Sequence, residues 1–454
     1  MPIDRTAQVR SHILDQLEAG RLRGGDRVPS ARDLAEDLGI SFLKVQQAME
    51  TLAQDGVLEI RPRIGAFVQE AWRERALPEN VSIFNRREAL PWIDGLAPLI
   101  EDHLPGLRFT HAFPRSILEL KTTITVQTNH DDYLDLAPYV DEIFPRKDLF
   151  FSEPFAPFRI SGRLVGVPLI FSPRVLYYNE TIFRRHGVPL PRSGWTWDAF
   201  LDTCRALAPK LPPGLTLNWT TMAFFWLNLV LRGGGRIFSA DAEDPIHVDD
   251  PATRAALQRM RDLGRILGMG AGDPVPAYAK RFATGEAAMC IGERQTKSLL
   301  HHHRATGWSM VPLPLMPDGR DCTSQTTDLL CVRRTCTDPQ LIRTWIATML
   351  SEPVQDHLAA TGYGIPIRRS SAFASLDYQD PHDALLIAEI PKMATDPGIA
   401  DAGLARQVFG GVERLLRESD DLDRDLIDLG AAARTWWRTS RFLARAQEPA
   451  ATVP

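Results

Sequence analysis

The spacing of apolar residues over the first 70 positions predicts three short helices. Apolar side chains recur every three or four residues from Val9 to Leu17, again at Leu34 and Leu38, and again from Val45 to Leu52. This spacing is the period of helices that bury one face and expose the other. We therefore expect three small amphipathic helices that share one core.

Capping residues and glycines mark the ends of these helices. Ser30 with Asp33 three residues later has the pattern of a capping box at a helix start. Gly39 suits the tight turn after that helix, Ser41 is placed to cap the next one, and Gly56 ends it. The second and third helices are thus predicted to be joined by a short glycine turn.

A hairpin with a basic tip is predicted after the third helix. Residues 57–60 and 66–68 have strand character and flank Arg61-Pro62-Arg63-Ile64-Gly65. Two helices joined by a glycine turn and followed by such a wing form a winged helix-turn-helix, a shape that enters a groove of DNA. The sequence therefore predicts an N-terminal DNA-binding domain.

From residue 80 onward, strand patterns alternate with helix patterns. The runs 81–84 and 107–113 have strand character, and 92–103 has the pattern of a helix between them. This order predicts a parallel sheet. Further strands are predicted at 122–126, 215–217 and 288–291.

Length and composition indicate a multidomain protein without an exported or membrane-spanning segment. The 454 residues are too many for one core, and 44% hydrophobic with 24% charged residues is ordinary for a globular chain. Residues 1–12 hold no apolar run, and no stretch is long enough for a membrane span. The five cysteines lack a Cys-x-x-Cys spacing, so we expect free thiols and a cytoplasmic location.

The charge of the predicted DNA-binding domain is low for that function. Residues 1–70 hold nine Lys or Arg and eleven Asp or Glu, a net charge of −2. Neutralisation of phosphates normally supplies most of the non-specific affinity for DNA. Binding therefore requires that the cations share one face of the domain.

The stretch AGRLRGGDRVPSARDLAEDLGIS…VQQAMETLAQDGVLEIRPRIGAFV resembles the DNA-binding domain of GntR-type bacterial transcription regulators. The resemblance spans the whole motif and implies DNA contacts from the second helix, the third helix and the wing. In the recognition helix the family usually has Ser-Arg-x-Thr-Val-Arg, where this chain has Ser-Phe-Leu-Lys-Val-Gln. The candidate DNA-binding residues are Arg32, Ser41, Phe42, Lys44, Gln46, Arg61, Arg63 and Gly65.

Residues from 80 to about 445 are similar to the family-1 extracellular solute-binding proteins, the receptors that deliver sugars and related solutes to ABC importers. The similarity rests on GRLVGVPLIFSPRVLYYNETIFRRHGVPLPRSGWTWDAFLDTCRAL, FATGEAAMCIGERQ and TWIATMLSEPVQDHLAATGYGIPIRRS, in the family's order. It implies a two-lobed α/β fold of the periplasmic-binding-protein type. Here a DNA-binding domain stands where such receptors carry a signal peptide.

The predicted fold class is therefore multidomain: an N-terminal winged helix-turn-helix (α+β) followed by a two-lobed α/β periplasmic-binding-protein-like fold. The winged helix is predicted at 1–70, a linker at 71–79 and the solute-binding part at 80–450. Its lobes are predicted at about 80–169 with 323–372, and at about 170–322 with 373–450.

Polar residues that follow the predicted strands are candidate ligand contacts, because ligands of doubly wound sheets bind beyond the carboxyl ends of strands. Acids and amides bind hydroxyl groups, arginine donates in a fork, and an indole face packs on a sugar ring. The expected solute is therefore a carbohydrate. The candidates are Asn85, Arg87, Arg115, Asn129, Ser172, Trp219, Glu293, Arg294, Thr327, Asp328 and Tyr363.

The sequence contains no motif for catalysis or metal binding. It has no phosphate-cradling P-loop, no Gly-x-Ser-x-Gly and no Gly-x-Gly-x-x-Gly after a strand. His301-His302-His303 are adjacent and not spaced for one face of a metal site. We therefore predict no metal, no cofactor and no enzymatic activity. A sugar-cleaving enzyme, the rival hypothesis, would need Glu88 and Glu293 as its carboxylate pair.

Together these patterns predict a ligand-responsive transcription regulator. A homodimer would bind operator DNA through its winged helices and sense a small-molecule effector, expected to be a sugar or oligosaccharide, in a two-lobed cleft. The residues found at Phe42, Lys44 and Gln46 leave one alternative open. In it, the chain is a cytoplasmic solute-binding protein whose winged helix no longer binds DNA.

Overall fold

The structure, a computed structural model, describes residues 5–75, 77, 79–85, 90–113, 116–239, 241, 243–268, 275–395 and 401–447. The chain divides into two compact units, Met1–Lys121 with Leu330–Val354 and Thr122–Leu329 with Gln355–Pro454.

Helices and strands alternate through most of the described chain. The α-helices are α1 Arg5–Glu18, α2 Ala31–Leu38, α3 Phe42–Gln54, α4 Ala97–Ile100, α5 Thr123–Thr128, α6 Ala137–Ile143, α7 Glu180–Arg185, α8 Trp197–Leu207, α9 Ala223–Arg232, α10 Pro251–Ile266, α11 Val275–Ala283, α12 Arg294–His302, α13 Pro339–Met349, α14 Glu352–Ala360, α15 Arg369–Ser375, α16 Pro381–Glu389, α17 Ala402–Glu418 and α18 Leu422–Gln447. The strands are β1 Leu58–Arg61, β2 Gly65–Val68, β3 Asn80–Ser82, β4 Arg108–Thr110, β5 Leu118–Thr122, β6 Arg159–Ile160, β7 Arg163–Leu164, β8 Val167–Pro173, β9 Val175–Asn179, β10 Met289–Gly292, β11 Trp308–Val311, β12 Thr323–Val332, β13 Ile365–Pro366 and β14 Met393–Ala394.

The first unit begins with the predicted winged helix-turn-helix. At the start of α2, the Asp33 amide donates to Ser30 Oγ (3.2 Å) and the Ser30 amide donates to Asp33 Oδ2 (3.1 Å), which completes the capping box. Gly39 lies at φ +62°, the left-handed region that a side chain disfavours, and closes the turn to α3. β1 and β2 pair antiparallel as the wing. The predicted domain type is confirmed.

The apolar stripes of the three helices form the core of this domain. An aliphatic side chain that becomes fully buried contributes about 2 kcal/mol of transfer free energy. Helices as short as α2 are therefore held by packing and not by their intrinsic helix propensity. The buried helix residues are Val9, Ile13, Leu14, Leu17, Leu34, Val45, Ala48, Met49 and Leu52.

Ion pairs fix the winged helix to a small parallel sheet within the same unit. Arg10 on α1 donates from Nε to Glu79, just before β3 (3.0 Å). Arg108 at the start of β4 donates to Asp15 on α1 (2.9 Å) and to the carbonyl oxygen of Ser11 (2.9 Å). Both guanidinium groups are largely buried. The back of the winged helix is therefore bound to the sheet by charged hydrogen bonds.

The segment predicted as a linker, 71–79, packs in this unit as well. Trp72 is buried, and its ring centroid lies 5.2 Å from that of Phe113. The winged helix and residues 80–121 share one compact unit. The domain boundaries given above stay predictions.

The sheet of the first unit is parallel, as the strand–helix–strand pattern predicted. β3 pairs parallel with both β4 and β5. The helix predicted over 92–103 is shorter, because it begins only at Ala97, with Pro98 in its first turn. Gly95 and a proline that cannot donate a backbone hydrogen bond oppose a longer helix.

The strand predicted over 122–126 is wrong. β5 ends at Thr122, and Thr123–Thr128 forms α5, in which Thr128 Oγ1 donates to the carbonyl oxygen of Ile124 (2.8 Å). Leu118 and Leu120 are the buried strand positions. The β-branched residues that suggested a strand come after β5 and form a helix. They do so because β propensity depends strongly on context.

The second unit is built around β9 and an aromatic core. β9 lies between β10 and β11 and is antiparallel to both, β8 pairs antiparallel with β13, and β12 pairs parallel with β14. Trp226 of α9 is fully buried, with its ring 5.5 Å from that of Phe409 on α17. This packing places Trp226 in the core.

The strand predicted at 215–217 is a single bridge, Leu217 to Met289. Beyond this bridge, hydrogen bonds from the Asn218 side chain take the place of backbone pairing with β10. Its amide donates to the carbonyl oxygen of Ile291 (2.8 Å), and its oxygen accepts from the Ile291 amide (2.8 Å).

Two further sequence features have a direct structural counterpart. The five cysteines form no disulfide bond, as expected. They are buried, and burial raises the pKa of Cys204 and Cys290. No helix within the described ranges combines the length and the apolar character needed to cross a membrane.

Candidate functional site

The outer face of α3 is the part of the winged helix that lies open to solvent. Its first turn exposes Phe42 (53%) and Leu43 (72%). Ser41 occupies the N-cap position, and its side chain makes no capping hydrogen bond with the described residues. Lys44 donates to Gln47 (3.3 Å). The start of this helix therefore presents apolar surface, a hydroxyl group and one cation.

Farther along the same face, Gln46 donates its side-chain amide to Glu50 (3.0 Å). The helix contains no arginine. Its polar side chains are thus paired with one another while they face solvent.

The wing carries most of the positive charge beside this helix. The Arg61 guanidinium lies over the Phe67 ring, 4.4 Å from its centroid, and donates to Glu59 (2.8 Å), which lowers the pKa of that carboxyl group. Arg63 lies at the wing tip with φ +63° and is exposed. These contacts fix the direction of Arg61 and leave Arg63 available.

Gly65 is required by the shape of the wing. A side chain there would place its Cβ 2.9 Å from Arg27 Nε, and the residue lies at φ +134°. Gly65 thus shapes the wing and brings Arg27 beside it. Arg27 is one of the cations that the sequence predicts could share one face of the domain, but it is not among the candidate DNA-binding residues.

The predicted DNA-binding residues fall on exposed parts of one domain. Arg32 on α2, the named residues of α3 and the two wing arginines are exposed, and Gly65 is half-buried. Their contacts with DNA stay a prediction.

A second candidate site is a polar cluster inside the second unit, centred on Glu293. Arg174, between β8 and β9, donates to the Glu293 carboxylate (3.0 and 3.2 Å) and to Ser324 Oγ (2.9 Å). Tyr177 donates its hydroxyl group to the Glu293 carbonyl oxygen (2.7 Å). Sequence reasoning missed Arg174, although one arginine inside the apolar run GVPLIFSPRVLYY was a usable signal.

Asp328 and Thr327 on β12 are buried side chains with unused hydrogen-bonding capacity. Asp328 Oδ2 and Thr327 Oγ1 have no hydrogen-bond partner among the residues that the structure describes. Burial raises the pKa of Asp328 to about 8, and the nearby charge of Glu293 adds to the shift.

Tyr363 belongs to the same electrostatic neighbourhood. Burial raises the pKa of its hydroxyl group, and Asp328 and Glu293 raise it further. Three predicted ligand residues, Glu293, Asp328 and Tyr363, thus influence one another. We call Glu293, Asp328 and Tyr363 the carboxylate cluster.

Arg294 and Ser172 are engaged with the protein itself. Arg294 donates from Nη1 to the carbonyl oxygen of Gly364 (2.9 Å) and from Nη2 to that of Ser375 (3.0 Å). The Arg294 amide donates to Ser172 Oγ (3.0 Å). These hydrogen bonds hold the start of α12 in place. Arg294 and Ser172 are therefore not part of the proposed ligand site.

The structure does not bring Trp219 to the carboxylate cluster. Its indole donates to the carbonyl oxygen of Met260 (3.1 Å), and the ring packs so closely on Gly264 that a Cβ there would lie 2.7 Å from it. Trp219 is buried as a core residue. Because the Trp219 indole is buried, it exposes no ring face on which a sugar could stack.

The remaining ligand candidates are two asparagines and two arginines. Asn129 donates to the carbonyl oxygen of Thr125 (2.8 Å) and accepts from Arg406 (3.2 Å). Asn85 is half-buried after β3 in the first unit. Arg87 and Arg115 lie outside the described residues, as does Glu88 of the rival enzyme hypothesis.

Comparison with protein families gives two matches along the chain. Residues 5–68 match the family described as bacterial regulatory proteins, gntR family. Residues 124–356, just over half of the chain, match the family described as bacterial extracellular solute-binding protein. Both resemblances stated from the sequence are confirmed.

One relative matches over a short stretch of the chain. An uncharacterized HTH-type transcriptional regulator of Mycobacterium tuberculosis is 42% identical over 62 residues, which are 14% of this chain and 25% of that protein. The chain thus spans about a quarter of the length of this relative.

Solved structures match most of the chain. UgpB from Mycobacterium tuberculosis, in complex with glycerophosphocholine, superposes with a TM-score of 0.64 at 16% identity and covers 80% of this chain and 99% of its own. The GacH receptor of Streptomyces glaucescens, studied unliganded and with acarbose, has a TM-score of 0.62 at 16% identity, over 79% and 98%. At this identity the likeness shows the fold. The predicted fold class is confirmed.

Proposed function

Because the chain belongs to the bacterial extracellular solute-binding protein family and carries a gntR-family winged helix at its N-terminus, we propose that it is a ligand-responsive transcription regulator. The winged helix binds operator DNA, and the solute-binding part binds a small solute. Binding of the solute changes the affinity for DNA, which requires that the solute prefer one of two conformations.

The observation that carries this proposal is the attachment of the winged helix to the parallel sheet of the first unit. Arg108 on β4 donates to Asp15 and to the Ser11 carbonyl oxygen, both on α1. Arg10 adds the contact with Glu79. The two largely buried guanidinium groups hold α1 and the sheet in defined positions, so a displacement of the sheet moves the DNA-binding face with it.

The proposed solute is a carbohydrate held by the carboxylate cluster. Asp328 has a carboxylate oxygen without a hydrogen-bond partner among the described residues, and Glu293 and Tyr363 lie in the same neighbourhood. Hydroxyl groups of a sugar both donate and accept, which suits such a mixed set of oxygen atoms. The acarbose complex of a protein with the same fold supports this ligand class.

The proposal includes a homodimer that acts in the cytoplasm and has no enzymatic activity. Two winged helices on one two-fold axis would bind two half-sites, which strengthens binding by a domain with a net charge of −2. The alternative is a solute-binding protein that no longer binds DNA. The absence of arginine from α3 supports it.

Fluorescence anisotropy with DNA from the protein's own promoter region tests the proposal. We expect binding at low salt that weakens as salt rises. A sugar that raises the melting temperature in a thermal-shift screen should also change the DNA affinity. Absence of binding at low salt would favour the alternative.

A substitution tests the coupling separately. Arg108→Ala should keep both DNA binding and sugar binding but lose the effect of sugar on DNA affinity. Arg21→Ala, which removes an exposed arginine after α1, is the matched control and should keep that effect. An unchanged sugar effect in Arg108→Ala would contradict the proposed route.

A further inference from the structure

The first turn of α3 exposes two large apolar side chains where a DNA-binding helix is expected to be polar. Phe42 is 53% and Leu43 is 72% exposed, and they are adjacent in the chain. Neighbouring exposed apolar side chains mark a surface that is covered by a partner. In a helix-turn-helix, the N-terminal residues of the second helix contact the edges of the bases.

From this position we infer that Phe42 and Leu43 read the methyl groups of thymine in the major groove. This inference rests on the proposed DNA binding and adds the chemistry that recognises the operator. Thymine presents a C5-methyl group in the major groove, and apolar side chains, phenylalanine among them, contact it.

The remaining side chains of α3 support apolar recognition. A bidentate contact with guanine needs arginine or lysine. The helix has no arginine, and its lysine, Lys44, donates to Gln47. Gln46, which could pair with adenine, donates its amide to Glu50. Phe42 and Leu43 are the side chains of the first turn that would lose water-exposed surface without giving up a hydrogen bond.

Charge complementarity identifies DNA as the occupant of this surface. Arg32 on α2 and Arg61 and Arg63 on the wing are exposed cations that flank α3. Such cations contact phosphates and fix the register of a protein on the duplex without reading sequence. α2 also carries Asp33, Glu36 and Asp37, so the cationic element next to α3 is the wing. An apolar pair beside a cationic wing fits a groove lined by phosphates better than it fits an apolar protein surface.

Replacement of thymine by deoxyuridine isolates the proposed contact, because it removes the methyl group and leaves base pairing unchanged. The full-length protein first selects sites from a library of random 20-base-pair duplexes, and each thymine of a selected half-site is then replaced in turn. We expect the replacement to weaken binding about fourfold for each contacted methyl group, from about 0.8 kcal/mol per buried carbon.

Alanine variants test whether the loss of DNA affinity on removal of the methyl group depends on Phe42 and Leu43. Phe42→Ala and Leu43→Ala should bind the thymine duplex more weakly and no longer distinguish it from the deoxyuridine duplex. Phe373→Ala, which removes a 40% exposed aromatic residue of the second unit, should keep the wild-type ratio. All three residues are exposed, so thermal melts should show folded variants.

The possible failures are separable. Equal affinity of the wild-type protein for thymine and deoxyuridine duplexes would overturn the inference and leave the proposed function standing. An unchanged ratio in Phe42→Ala and Leu43→Ala would also overturn it and would assign this surface to another partner, such as a protein. Absence of binding to any duplex at low salt would overturn the proposed function itself.

Discussion

Two arginines of the winged helix and two arginines of the second unit have opposite surroundings. In the winged helix, Arg32 and Arg63 expose their guanidinium groups to water. In the second unit, Arg294 and Arg232 are buried and donate to backbone carbonyl oxygens, Arg232 to those of Leu313 and Pro314 (2.6 and 2.9 Å). A buried guanidinium that donates to backbone carbonyl oxygens stabilises the fold, whereas an exposed one is available to a partner. Residue type alone does not distinguish the two roles.

The largest expected effect is on the buried side of this comparison. Arg294→Ala leaves the buried carbonyl oxygens of Gly364 and Ser375 without a donor and should lower the free energy of unfolding by about 3 kcal/mol. Urea denaturation followed by fluorescence measures it. Arg265→Ala, which removes a mostly exposed arginine of α10, is the control and should leave stability unchanged. A stable Arg294→Ala variant that loses sugar binding would instead make Arg294 a ligand contact.

An effect that is smaller for each pH unit, but accumulates over several units, concerns the buried carboxyl group of Asp328. Its pKa is about 8 in the folded state against an ordinary 3.8. Between these values the folded protein holds a proton that the unfolded chain has lost, so stability falls as pH rises through this window. The loss is about 1 kcal/mol for each pH unit.

The comparison of wild type with Asp328→Asn measures this contribution. Asparagine does not titrate, so the difference in unfolding free energy between the two proteins should change between pH 5 and pH 8 in the variant's favour. Asp148→Asn, which alters an exposed carboxyl group paired with Arg146, is the control and should show no such change in this range. A constant difference for Asp328→Asn would contradict the raised pKa.

The smallest effect on stability belongs to the exposed arginines. Arg63→Ala removes a side chain at the wing tip and should leave the unfolding curve unchanged. If Arg63 contacts one phosphate, the slope of log Kd against log salt should fall by about one. Arg184→Ala, which removes an exposed arginine on α7, should leave that slope as in the wild type. An unaltered slope in Arg63→Ala would remove the wing tip from the DNA interface.

The sequence predicted the winged helix well because its determinants are local. The capping box joins residues three positions apart, the turn needs one glycine, and the helices follow one apolar period. The strand predicted over 122–126 failed because the same β-branched residues can continue as a helix when the preceding residues already complete the strand.

The candidate ligand site was predicted only in part. Glu293, Asp328 and Tyr363 share one neighbourhood, but Trp219 belongs to the core and Arg294 to the scaffold. Arg174, which organises the cluster, was not predicted. The order of polar residues after strands indicates which side chains are near a sheet edge. It does not indicate which of them form their hydrogen bonds within the fold.

By itself, the sequence determined the winged helix, the parallel strands that follow residue 80 and the two families. These features depend on spacings of a few residues or on motifs in a fixed order. The tertiary structure decided the roles of single polar residues. The partners of Arg294 lie 70 and 81 positions along the chain, and that of the Trp219 indole lies 41 positions away. Only the folded topology brings such groups together, and burial then determines whether a polar side chain is consumed by the fold or left for a ligand.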